Sequence, residues 1–141
     1  MTQKPPNLDR LAAQRAQEFI RKTIDDDRKP DPKSVDNTVT NALGVLRENG
    51  IYACALFLKS RPKTEKQRAD ALLSEMLHLL AGLGFGWGRP DSEDAHHVLA
   101  YLTEKVTSGK LERLLLAKET LEQMLIYARY GAKARVAEKG D

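Results

Sequence analysis

NTVTNALGVLRENGIYACALFLKSRPK, residues Asn37–Lys63, is the stretch on which the fold of this chain turns. Val39, Ala42, Leu43 and Leu46 recur at i, i+3, i+4 and i+7, which lays one apolar stripe along a helix. Asn49-Gly50 ends that helix, because glycine enters positive φ without the steric cost of a Cβ and lets the chain turn back at once. Ile51 opens a second, short helix in which Ala53, Ala55, Leu56 and Leu58 leave little polar surface before Lys59. Nearly the whole circumference of that helix demands cover from other elements, so the sequence places it at the buried centre.

Upstream, Pro5-Pro6-Asn7 supplies a stop and then an N-cap, and Leu8, Leu11, Ala12, Ala16, Phe19, Ile20 and Ile24 form the stripe of a first helix. The charged connection from Asp25 to Pro32 contains two prolines that disfavour helix, and Ser34 is the expected cap of the helix carrying Val39 and Leu46. Downstream, Arg61-Pro62-Lys63 breaks the chain. Thr64 and Gln67 fit a capping box at the head of a long helix with Ala69, Leu72, Leu73, Met76, Leu79, Leu80 and Leu83 inside. A fifth helix is expected from Asp91 or Ser92, with Asp91, Glu93 and Asp94 set against its positive dipole end and Ala95, Val98, Leu99, Leu102 and Val106 inward. After Ser108-Gly109 a last helix carries Leu111, Leu114, Leu115, Lys118, Leu121, Leu125, Ala128 and Ala132 at helical spacing. The expected fold is all-α, a single-domain bundle of about six helices over residues 1–141 with no β-strands, a flexible N-terminus over 1–6 and a frayed C-terminus over 136–141.

Composition suits one core: with 141 residues, 41% apolar and 30% charged, such a chain buries roughly two-thirds of its unfolded surface. Against 20 Asp+Glu stand 23 Lys+Arg, and the net charge of +3 leans basic without by itself marking a nucleic-acid binder. The distribution is uneven, since residues 64–109 hold 4 basic and 7 acidic side chains and residues 110–141 hold 7 basic and 5 acidic. Cys54, the only cysteine, excludes an internal disulfide and reads as a small core residue. No apolar h-region opens the chain and no apolar run approaches the roughly 18 residues that span a bilayer, so a cytoplasmic protein with no membrane partner is expected.

The run Gly82 to Pro90 has glycine at every second position through Gly88. It has the glycine content of a phosphate-cradling loop but neither Walker spacing with its lysine nor a preceding strand. Two readings stay open: Leu83, Phe85 and Trp87 plug the open end of the bundle, or Trp87 stays exposed for a base or a partner chain.

The order of elements, the Asn-Gly-Ile joint followed by ALFLKS, and the terminal LLLAKETLEQMLIYARYGAKA together resemble the small all-helical subunit of the type III-B CRISPR effector, the Cmr complex. Gly50, Ile51, Leu56, Phe57 and Leu58 stand where that family has glycine, an aliphatic residue, three variable positions and a leucine-phenylalanine-leucine-like run. In the last helix Lys118, Glu119, Leu121, Leu125, Tyr127, Arg129 and Ala132 match its pattern. The chain departs at Tyr127, where tryptophan is usual, and at Ala128-Arg129-Tyr130, where two consecutive basic residues follow.

The resemblance implies a non-catalytic subunit, without cofactor or metal. It would pack along the backbone subunits and neighbouring copies of itself and bear on guide RNA and target RNA. A protein that follows a nucleic-acid backbone needs Lys and Arg on one surface. Two groups offer this: Arg129, Lys133 and Arg135, extended by Lys139 to the terminus, and Arg47, Lys59, Arg61 and Lys63 around the two ends of the hairpin. Protein contacts would use Phe57, Trp87 or Tyr130, since aromatic residues dominate interface cores. An enzyme alternative rests on Arg89 and His96, whose spacing resembles the Arg-x(4–6)-His element of helical HEPN-type ribonucleases, in which histidine is acid or base and arginine stabilises the phosphate. Against it, Pro90 sits where those nucleases carry a polar residue, and His96 and His97 diverge by about 100° on a helix, too far to share a metal easily. The third class is a stand-alone helical adaptor that binds only protein.

Overall fold

The computed structural model describes residues 7–26 and 31–139, the side chain of Lys139 excepted. Among them are six α-helices and no strand: α1 (Leu8–Ile20), α2 (Pro32–Asn49), α3 (Ile51–Lys59), α4 (Lys63–Ala81), α5 (Ala95–Tyr101) and α6 (Leu111–Lys139). π-helical turns prolong α1 over Arg21–Asp25 and α5 over Leu102–Val106. The all-α bundle expected from periodicity is the fold observed. The N-terminal stretch 1–6, residues 27–30 of the first connection and residues 140–141 lie outside the described residues. Residues 136–139, expected to fray, are helical and complete α6.

At 1.5 Å per residue, the 29 residues of α6 run roughly 43 Å, enough to lie along both α1 and α2. Small residues let the helices approach: Ala12 and Ala16 of α1, Ala42 of α2, and Ala128 and Ala132 of α6 are all buried. At Gly131 a Cβ would meet Ile20 Cγ1 at 3.0 Å, so the α1–α6 crossing has no room for a methyl without a shift of Ile20. Phe19, Leu46, Leu72, Leu79, Leu121, Met124 and Leu125 fill the resulting single core.

Two of the expected stripes are only partly covered. Ile51, Cys54, Ala55 and Leu58 of α3 are buried, but Tyr52 and Leu56, one turn apart, face outward. Helix α3 packs against α2, α4 and α5 but leaves the face of Tyr52 and Leu56 uncovered, so it is not the bundle's buried centre. In α6, Leu121, Leu125, Ala128 and Ala132 are inside, whereas Leu111 and Leu115 are 67% and 55% exposed. The reason is length. Leu8 at the start of α1 lies beside Leu116, and the Arg47 carbonyl near the end of α2 accepts from Lys118 Nζ at 3.2 Å, so the first turns of α6 project beyond both helices.

Helix starts follow local chemistry, not always at the residue expected. Asn7 caps α1 by accepting from Arg10 N at 3.0 Å. In α2 Asp31, not Ser34, is the cap and accepts from Ser34 N at 2.7 Å, because Pro32 fixes a helical φ at the first position and needs no donor there. Helix α4 begins at Lys63 after Pro62, so Thr64 falls inside the first turn and no capping box forms at its hydroxyl. Helix α5 is capped by Asp94, which accepts from His97 N at 2.9 Å; Asp91, Ser92 and Glu93 precede the helix. The His97 backbone N–H holds the Asp94 carboxyl well below the usual carboxylate range. Gly50 joins α2 to α3 at φ 97°, the positive φ that the Asn-Gly pair calls for.

The glycine run also resolves. Gly84, Gly86 and Gly88 all have positive φ, which turns successive side chains inward and packs Trp87 edge-on against Phe85 with ring centres 5.0 Å apart. Trp87 is 8% exposed, and the Tyr101 hydroxyl pins the loop by donating to the Gly88 carbonyl at 2.9 Å. The loop is a plug for the core, and Trp87 has no free ring face to offer a partner.

One polar cluster crosses the core edge. Glu75 of α4 is buried and receives Arg15 at 2.8 Å and Lys22 at 2.5 Å, and Arg15 also donates to His78 Nδ1 at 2.6 Å. It ties α1 to α4 by charge where the apolar seam ends.

Candidate nucleic-acid interface

The break Arg61-Pro62-Lys63 brings the end of α3 and the start of α4 into one corner. Residues 59–70 hold five cations (Lys59, Arg61, Lys63, Lys66, Arg68) and two carboxylates (Glu65, Asp70), a sum of +3 that equals the formal net charge of the entire chain, +3. The remainder sums to zero but unevenly, with a further basic excess over residues 110–141, so this corner is one of the chain's basic regions.

Within the corner the cations divide by depth. Lys59 and Arg68 have side chains only 12% and 15% exposed; Lys59 reaches Asp70 at 3.4 Å and Arg68 donates to the Thr38 hydroxyl at 2.8 Å, bracing α4 against α2. Lys66, 61% exposed and 3.2 Å from Asp70, points to solvent. Lys63 is exposed and has no ion-pair partner among the described residues. The Arg61 guanidinium lies 4.0 Å above the ring of half-buried Phe57, its Nε donates to the Phe57 carbonyl at 3.2 Å, and Nη1 is 3.6 Å from Glu65. Such stacking and pairing fix the guanidinium at the corner, with its side chain 27% exposed. Helix α4 also starts without a side-chain cap, and its dipole favours negative charge at that end, where the chain itself has placed Lys63. Arg61, Lys63 and Lys66 thus form an outward cationic edge beside an uncapped helix start, an arrangement suited to phosphate oxygens.

The other expected basic residues are elsewhere and mostly engaged. Arg129 and Lys133 both lean on Asp36 of α2, at 3.8 and 3.7 Å, and so clamp α6 to α2. Arg135 makes a forked pair with Asp25, at 2.8 and 3.0 Å. The Lys139 side chain lies outside the described residues. Arg47 is exposed at the far end of α2, eleven residues beyond Asp36 and so roughly 16 Å along the axis. The structure therefore separates the expected C-terminal basic group and Arg47 from the α3–α4 corner. Of the expected protein contacts, Tyr130 is exposed, Phe57 lies under Arg61, and Trp87 is in the core. Lys66 was missed because the capping-box reading absorbed its segment; its signal is the third-residue spacing from Lys63.

His96 does not line the groove that Arg89 lines. Arg89 is paired to Glu93 at 2.8 Å, and the groove, of about 190 Å³, is also lined by His97, Tyr101, Glu104 and Lys105. His97 is in turn held by Asp94 at 2.8 Å. Among the described residues no three His, Cys, Asp or Glu side chains come together as a metal-binding group, and no helix is long and apolar enough to cross a membrane. The chain matches no protein-family model, no curated protein and no solved structure.

Proposed function

We propose that this chain is a non-catalytic small subunit of a cytoplasmic RNA-guided effector of the type III-B CRISPR (Cmr) kind. It packs against backbone subunits and neighbouring copies, and it contacts guide and target RNA through phosphates rather than bases. The observation that carries the reading is the local excess of cations in the corner of Lys59–Asp70, where Lys63 and Lys66 are exposed and Arg61 is stacked on Phe57 beside them. The all-helical fold and the resemblance of the α2–α3 joint and of α6 to that subunit family support the same reading. A patch of cations on one edge recognises the regular spacing of phosphates and needs no base-reading side chain.

The test is native and denaturing electrophoresis of labelled single-stranded RNA and of an RNA duplex with the purified chain across a salt series. Intact strands retarded at low salt and released as salt rises support the reading. A shortened strand overturns the non-catalytic role and directs attention to Arg89 and His97. Absence of retardation at every salt concentration overturns an RNA contact made by this chain itself and leaves the protein-only adaptor.

A further inference from the structure

We propose that the groove between the start of α1 and the first turns of α6 docks a basic amphipathic helix of a protein partner. An aliphatic side chain would seat against Leu116, with Lys or Arg over Asp9 and Glu119. The groove holds about 350 Å³ and is lined by Leu8, Asp9, Leu116, Glu119, Thr120 and Gln123, with Tyr127 at its end. Its sign is opposite to that of the chain: no Lys or Arg lines it, on a protein of net charge +3. Glu119 is exposed and has no ion-pair partner among the described residues. Asp9 accepts the Tyr127 hydroxyl through one oxygen, which orients the carboxylate at the rim.

Beside the groove the projecting turns of α6 carry Leu111, Leu115 and Leu116, 67%, 55% and 37% exposed. One such leucine is ordinary; three in two turns, of which Leu116 also lines the groove, form an exposed apolar patch of the kind that marks an interface. A helix laid along this patch covers it with apolar side chains at i and i+4 while the rim carboxylates select a basic flank. The same carboxylates repel a phosphate backbone, so this face selects protein and not RNA. The inference goes beyond the RNA reading and is independent of it, because the groove lies on α1 and α6 and the cationic corner on α3 and α4.

The test is selection from a phage-displayed library of random peptides about 16 residues long, roughly four helical turns, on the immobilised full chain. The peptides should pair Lys or Arg with aliphatic residues at helical spacing. A synthetic peptide made from them should bind the native chain about tenfold or more tighter than the Asp9→Lys/Glu119→Lys variant, and equally well to Arg61→Gln/Lys63→Gln. Circular dichroism checks each fold; should the Asp9 variant fail to fold, Leu115→Glu with Glu119→Gln, both at exposed positions, serves in its place. Failure to enrich such peptides, enrichment of acidic ones, or equal binding to the groove variant overturns the proposal.

Discussion

If RNA lies on the α3–α4 corner, replacing Arg61 and Lys63 by glutamine must change the salt dependence of binding and not merely its strength. Of the five cations there, Lys59 and Arg68 are turned inward with side chains 12% and 15% exposed, which leaves Arg61, Lys63 and Lys66 to meet phosphates. Three contacts on a single strand give a slope of log affinity against log salt of about −2.1, hence a loss of about 20-fold between roughly 50 and 200 mM. Removing two of the three leaves a slope of about −0.7 and a loss of only about threefold over the same range. Fluorescence anisotropy of a labelled strand measures both lines. Arg129→Gln/Lys133→Gln is the matched control: the same charge is lost, but from the α2–α6 face and not from the corner, so its slope should stay at the native value. A slope unmoved by the Arg61 and Lys63 changes, or moved equally by the control, would refute the argument.

Other consequences concern the fold. Glu75→Ala strands Arg15 and Lys22 at a core edge and should cost about 3 kcal/mol, below the full buried-pair value because both cations are partly exposed; in a chain this size that lowers Tm by about 10 °C in calorimetry. Gly50→Ala places a Cβ at φ 97° and should cost about 1–2 kcal/mol, whereas Gly44→Ala, mid-helix with open space around it, should gain about 0.5–1 kcal/mol in urea titration. Burial, then the charge of Arg15, holds the His78 pKa below its ordinary 6.5. The unfolded chain therefore takes up the proton first, so the contribution of His78 is complete above about pH 6.5 and is lost as pH falls through the lower folded value. His78→Gln should flatten the fall in urea midpoint between about pH 7.5 and 5.5. Burial pushes the Cys54 thiol up to about 12, so iodoacetamide at about pH 8 should label it at the rate of opening, and fast labelling of the native protein would contradict the packing.

Much of this was legible in one dimension. Apolar spacing alone picked out Ala69, Leu72, Leu73, Met76, Leu79 and Leu80 as the inner face of α4, and all are buried. The Asn49-Gly50 joint and the first cap at Asn7 follow from the conformational freedom of glycine and from a short side chain that can accept an N–H. These features depend on neighbours within about one turn of chain, and that is the range over which sequence acts directly.

What periodicity could not supply is how far each helix has company. Leu114, Leu115 and Leu116 step by 100° and together span most of a helix circumference, so at least one had to face out; which one depends on where α1 and α2 stop. The same holds for the basic residues. In sequence Arg129, Lys133 and Arg135 look like a free cationic stripe, but Asp36 and Asp25, about a hundred residues away, arrive beside them in the bundle. The Lys59–Asp70 segment keeps its excess because its own carboxylates are too few and, among the described residues, no ion pair brings it one from another helix. The sequence by itself determined the six helices, most of their inner faces and the hairpin at Gly50, because those are set by local backbone and side-chain preferences. Only the tertiary structure decided which leucines stay exposed and which cations stay unpaired, because both depend on the surfaces that distant helices happen to cover.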